Sequence, residues 1–257
     1  MVAGGFNPRY KCTHRKKEDF MSTFVLIHGV AHGGWCWYKV VAALEKHGHT
    51  VLAPDLPGHG KDKTPVADVT LQLYVDSVCK LLDAQREPVI LVGHSMGGGI
   101  ITQVAEERPE RIKWLVYLTA AMPKNGQSMF ERFKNDTTSA SLANFVVAPD
   151  QLSATFREEG IREAFYEDCS EEDIALAKLL LVPQAMEPIS TPVKTSEAKW
   201  GRVPRVYIEC LQDRALTPPF QKRLYTASPC QKVISMDTSH SPFFSAPGEL
   251  ARHLMAL

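Results

Sequence analysis

Val89-Ile90-Leu91-Val92-Gly93-His94-Ser95-Met96-Gly97-Gly98-Gly99 begins as an unbroken apolar run, passes through Gly-x-Ser-x-Gly and ends in small residues. An unbroken apolar run suits a parallel strand covered on both faces. Small residues after the serine suit a helix packed closely on that strand. In this strand, turn and helix context the pentad reads as a nucleophile elbow. The turn is predicted to force Ser95 into a strained backbone conformation. Gly93 and Gly97 are required because a β-carbon at either place would collide with the neighbouring strand or helix. The turn lifts the Ser95 hydroxyl clear of the sheet. It also leaves the Met96 N–H unpaired at the helix N-terminus, where it can meet a developing oxyanion.

Strand and helix patterns alternate around this stretch. Thr23 to Ile27, Thr50 to Ala53, Val89 to Val92, Ile112 to Leu118, Arg205 to Glu209 and Lys232 to Met236 read as strands. Helical spacing covers Trp37 to Lys46, Leu71 to Ala84, 96–107, Pro219 to Ala227 and Pro247 to Leu257. The predicted class is α/β: a mainly parallel, doubly wound sheet of about six strands flanked by helices. From Pro123 to about residue 200 the alternation stops, and helical patterns without clear strands predict a helical cap over 123–200. There Pro149-Asp150 is expected to open one helix, and Ser170-Glu171-Glu172-Asp173 is close to a capping box for another. The core is then 21–122 together with 201–257. Residues 1–20, polar and charged without an apolar h-region, are expected to be a disordered leader, with Met21 as the functional start.

The chain of 257 residues is 44% hydrophobic, enough for one large domain with an insertion. A formal net charge of +0 provides no field to attract nucleic acid or an anionic membrane. No apolar run approaches the roughly 20 residues of a spanning helix. Cysteines 12, 36, 79, 169, 210 and 230 form no CxxC pair, so reduced, mostly buried thiols in a cytoplasmic protein are expected. No zinc-ligand cluster, P-loop or GxGxxG appears, so no metal or cofactor is implied.

A serine hydroxyl needs a base, and the base needs an orienting carboxylate. With an elbow serine these follow in the order acid, then histidine. Asp213 sits just past the strand ending at Glu209, on the edge of the sheet that carries Ser95. Glu209 is a rival but falls inside the strand. His240 lies between the last strand and the last helix; His253 falls in that helix, and Asp237 is too close in sequence to orient the ring. Ser95, Asp213 and His240 are thus the predicted catalytic residues, with Val30 and Met96 as oxyanion donors. His28, before Gly29 and Val30, is read as a structural histidine at the edge of the site, and His94 as a packed flank of the elbow. The predicted pocket comprises His28, Gly29, Phe130, Phe133, Phe145, Met186, Leu216 and Phe243. Packing inside the cap is an equal alternative for Phe130, Phe133, Phe145 and Met186.

With these residues placed, the chain resembles the α/β-hydrolase superfamily. More narrowly, it resembles the methylesterase and hydroxynitrile lyase family, which includes plant hormone methyl esterases and bacterial relatives, some acting on pyrethroid esters. The resemblance rests on Phe24-Val25-Leu26-Ile27-His28-Gly29-Val30-Ala31-His32-Gly33-Gly34-Trp35-Cys36-Trp37, Gly93-His94-Ser95-Met96-Gly97-Gly98, the Asp213 loop with Gln221, and Ser239-His240-Ser241-Pro242-Phe243. Asp55-Leu56-Pro57-Gly58-His59-Gly60 is closer to bacterial hydrolases than to the plant enzymes, and the cap aligns poorly with the plant members. The lyases carry a threonine where Val30 stands and a lysine directly after the catalytic histidine, where this chain has Ser241. The resemblance therefore implies a cofactor-independent serine carboxylesterase for small to medium apolar esters. A hydroxynitrile lyase and a non-catalytic small-molecule-binding relative are the alternatives, and perhydrolysis or lactone hydrolysis could use the same three residues. A homodimer is compatible with the resemblance, although no interface signature is readable.

Overall fold

The computed structural model describes Met1 and residues 21–257, so the leader expected over 1–20 lies, Met1 apart, outside the described residues. In the first half of the chain, strands β1 (Thr23–Ile27), β2 (Thr50–Leu52), β3 (Val89–His94) and β4 (Ile112–Leu118) alternate with helices α1 (Tyr38–Glu45), α2 (Leu71–Asp83) and α3 (Gly97–Glu107). Next come α4 (Met129–Phe133), α5 (Ala140–Ala143), β5 (Phe145–Val147), β6 (Ser153–Phe156), α6 (Glu158–Phe165), α7 (Glu171–Leu180), β7 (Gln184–Ala185) and α8 (Met186–Ser190). The α/β alternation then resumes with β8 (Arg205–Cys210), α9 (Pro218–Ala227), β9 (Lys232–Met236), α10 (Pro242–Ser245) and α11 (Pro247–Met255).

The main sheet has six strands in the order β2-β1-β3-β4-β8-β9, and every neighbouring pair is parallel. Successive side chains of a strand point to opposite faces. Val25, Ile27 and Leu91 accordingly pack with α2 and α3 on one face. Phe24, Leu26, Ile90 and Val92 pack with Trp37, Leu44, Leu250 and Leu254 on the other. Both faces are covered, so β3 is buried along its whole length and reads as continuous apolar sequence. From β1 the chain moves outward to β2 and then returns to the other side of β1 as β3. This reversal of strand order makes the carboxyl ends of β1 and β3 a crevice suited to a ligand.

The segment expected to be purely helical also contains a three-stranded antiparallel sheet, β5-β6-β7. Its strands are too short to show period-two alternation. Pro149-Asp150 opens no helix. Asp150 Oδ1 instead accepts the Leu152 N–H at 3.0 Å, and Gln151 adopts φ +60°. The Ala148 N–H donates to Ser153 O at 2.8 Å and closes a hairpin. Ser170 caps α7 as expected, its Oγ accepting the Asp173 N–H at 3.2 Å. Among the described residues no helix is long and apolar enough to cross a membrane. The five described cysteines are free, and four of them are buried.

Candidate active site

Ser95 stands at the end of β3 with φ +52°. A non-glycine residue in that region costs on the order of 1–3 kcal/mol and persists only where the surroundings enforce it. Here the Ser95 N–H donates to Leu118 O at 3.3 Å, while Ser95 O accepts the Ala121 N–H at 2.9 Å and the Gly98 N–H at 3.1 Å. A β-carbon on Gly93 would lie 2.6 Å from Gly97 O, and one on Gly97 would lie 2.8 Å from Ile27 O. The turn can therefore be this tight only with glycine at both places.

Asp213 is 2% exposed in the loop after β8. Its Oδ1 accepts the N–H groups of Ala215 at 2.7 Å and Leu216 at 2.9 Å. Its Oδ2 accepts His240 Nδ1–H at 2.7 Å, the Thr119 hydroxyl, and Gln221 Nε2–H at 3.5 Å. A carboxylate so supplied with donors is held in one orientation. The rival acids are engaged elsewhere. Glu209 accepts from Tyr225 and Ser235, and Asp237 from Gln212. Thr119 was not anticipated. It follows β4, is fully buried and has φ +36°, but nothing local marks one threonine at a strand end as special.

His240 is 1% exposed. Because Asp213 only accepts, the proton of the neutral ring sits on Nδ1, and Nε2 keeps its lone pair. His94 Nε2–H donates to His240 O at 2.9 Å, and the two rings lie 4.6 Å apart. Burial holds His94 well below the usual histidine range, helped by the neighbouring His240. His253 lies away from this cluster, near Glu249 on α11.

The Val30 and Met96 N–H groups have no hydrogen-bond acceptor among the described residues. Val30 lies in the loop after β1, and Met96 is the N-cap of α3. His28 holds this loop from behind: Nδ1–H donates to Gly29 O at 2.9 Å, and Nε2 accepts the Leu56 N–H at 3.1 Å. Burial pushes its pKa well down, and His59 close by pushes it further. His32 Nδ1–H donates to Val30 O at 2.6 Å, and burial lowers His32 to about 4.

A cavity of about 60 Å³ opens above Ser95. Val30, Met96, Phe130, Phe133, Phe145 and Leu216 line it, as do the unanticipated Met129, Phe156 and Phe165. Among the described residues its only polar side chains are Ser95 and Ser141, and no charged group lines it. Four residues assigned to the pocket from sequence lie outside this lining. His28 is turned toward the 55–60 loop by its bond with Leu56. Gly29 lies against the elbow, where a β-carbon would come within 2.9 Å of Ser95 Cβ. Met186 packs against the core at the start of α8. Phe243 is fully buried, its ring 4.9 Å edge-on from His94 and 5.2 Å from Trp37.

Residues 24–253 match the sequence model described as the Alpha/beta hydrolase family. The chain is 34% identical over 256 residues to Methylesterase 2 of Arabidopsis thaliana, an alignment covering 94% of this chain and 97% of that protein. Among solved structures it resembles polyneuridine aldehyde esterase, with TM-score 0.83, 28% identity and coverage of 92% and 98% of the two chains. A pyrethroid hydrolase from Sphingobium faniae JZ-2 gives TM-score 0.84, 30% identity and coverage of 92% and 96%.

Proposed function

The chain belongs to the α/β hydrolase family and is a carboxylic ester hydrolase, and from that premise we propose that Ser95, His240 and Asp213 carry its reaction on small to medium apolar esters. The observation that carries this reading is the 2.7 Å bond from buried His240 to Asp213, with His240 O bonded to His94 and the next residue, Ser95, held at φ +52° under an apolar cavity. In the proposed reaction His240 Nε2 takes the Ser95 proton while Oγ attacks the acyl carbon. The Val30 and Met96 amides receive the oxyanion. The imidazolium, stabilised by Asp213, returns the proton to the departing alcohol, and a water activated by the same ring frees the acid. Among the described residues no hydrogen bond engages the Ser95 hydroxyl. Such contacts are often long without substrate and tighten in the complex.

The lining supports the substrate class. With aromatic walls and no charged side chain among the described residues, it favours neutral esters over those bearing a free carboxylate or phosphate. Ser241 brings no charge to hold cyanide, which favours hydrolysis over the lyase alternative. Ser95→Ala is expected to lower p-nitrophenyl acetate turnover by at least about 10⁴-fold with the thermal melt preserved, and a serine-directed phosphonate should label Ser95 once per chain. Undiminished turnover in the variant would reject the assignment. A panel of esters varied separately in acyl and alcohol length defines the substrate. A preference for charged acyl groups would reject the apolar class.

A further inference from the structure

The short connection between α6 and α7 touches two loops of the proposed site at once. Tyr166 is fully buried, and its hydroxyl lies 2.6 Å from His32 Nε2. The other ring nitrogen lies 2.6 Å from Val30 O. A carbonyl only accepts, so Nδ1 carries the ring proton, Nε2 keeps a lone pair and the tyrosine hydroxyl donates to it. The result is a directional chain, Tyr166 O–H to His32 to Val30 O, ending on the residue whose N–H is the proposed oxyanion donor. Ala31, the next residue, has φ +60°, so this turn needs external support. Its own backbone supplies little, the His32 N–H reaching Gly29 O only at 3.4 Å.

Two residues further on, Asp168 accepts the Ser239 N–H at 2.9 Å and also the Ser239 hydroxyl. The Cys169 thiol lies 3.9 Å from Ser241 O. Ser239 and Ser241 flank His240, so residues 168 and 169 grip the base from both sides along the chain. Phe165, which ends α6, has its ring 5.6 Å from the His240 ring and lines the cavity. Tyr166 and Asp168 themselves do not line it.

We propose that Tyr166 and Asp168 are positioning residues for ester hydrolysis, Tyr166 holding the Val30 carbonyl through His32, and with it the turn that carries the Val30 N–H, and Asp168 setting the loop that carries His240. The proposal rests on the reading that Ser95, His240 and Asp213 do the chemistry. Both residues act through their neighbours on groups used in the transition state, and neither borders the space substrate occupies. Their loss should therefore slow the reaction without weakening ground-state binding. A misplacement of about 1 Å in such a site can cost roughly 10²-fold, and loosening one of several supports should cost less.

The test is Tyr166→Phe and Asp168→Asn in the full chain, with p-nitrophenyl butyrate as substrate and a trifluoromethyl ketone as mimic of the tetrahedral intermediate. Each variant is expected to lose about 10-fold in kcat with KM within twofold. For Tyr166→Phe the ketone should bind about 10-fold more weakly while butanol inhibits as before. A purely structural contact would lower the melting temperature and leave these ratios unmoved, and that outcome overturns the proposal. Tyr166→Phe keeps the ring, so if Asp168→Asn fails to fold the tyrosine variant decides alone: a kcat within twofold of wild type overturns the proposal. Turnover that Ser95→Ala abolishes, with both positioning variants fully active, sinks only this inference. Turnover surviving in Ser95→Ala sinks the reading beneath it.

Discussion

Asp213 Oδ2 faces donors on three different elements: His240 after β9, Thr119 after β4 and Gln221 in α9. An asparagine there presents an N–H₂ group that cannot accept the ring's Nδ1–H. If its oxygen turns toward the ring instead, the amide protons face the Ala215 and Leu216 N–H groups. Either arrangement disturbs the tautomer that leaves Nε2 free as a base. Asp213→Asn is expected to lower kcat by roughly 10⁴-fold with the fold intact, measured by ester turnover beside a circular-dichroism melt. A loss below tenfold would show that the ring is oriented without this carboxylate. Asp213 was legible in the sequence because it follows a strand and precedes His240. Thr119 was not, because its role depends on β4 and β8 being neighbours in the sheet.

The elbow couples β3 to α3 through backbone that approaches too closely for side chains. Gly93→Ala would place a β-carbon 2.6 Å from Gly97 O, against backbone locked by the packing of both elements. Overpacking of this kind costs about 1–3 kcal/mol, so the urea midpoint should fall and ester turnover should fall with it. An unchanged midpoint would mean that the elbow can relax. The same stretch shows why core elements were readable: strands buried on both faces carry long apolar runs, and glycine is needed where backbones touch. Between β4 and β8, β5 and β7 carry only three and two residues. β5 pairs with β6 across a hairpin that Asp150 and Gln151 close, β7 pairs with the other edge of β6 from about 30 residues further along the chain, and no hydrophobic period announces either.

Four buried histidines tie the whole molecule's stability to pH. His28, His32, His59 and His94 all have lowered pKa values, in each case chiefly through burial. An unfolded chain protonates its histidines as pH falls through about 6.5, whereas folded His32 waits until about 4. Between these values the unfolded state binds more protons. The stability these residues contribute is therefore present above about pH 6.5 and is lost as pH falls below it, for His32 by about pH 4. His32 alone accounts for roughly 3 kcal/mol over that window. The urea midpoint is expected to hold between pH 7 and 8 and to drop steeply by pH 4.5, with His32→Gln flattening the dependence. An equal midpoint at pH 7 and 4.5 would contradict this account.

From sequence alone came the parallel sheet, the tight turn at Ser95 and the candidate pair Asp213 and His240, because each leaves a local mark: two-sided apolar runs, glycines at a forced close approach, polar residues just past strand ends. Which aromatic side chains wall the cavity, why Phe243 and Met186 do not, and how Tyr166 reaches His32 across 134 residues of chain were decided only by the packing of residues 129–189 against the loops at the strand ends. Such contacts join distant segments whose relative placement depends on the fit of many side chains at once, and no short window of sequence encodes that fit.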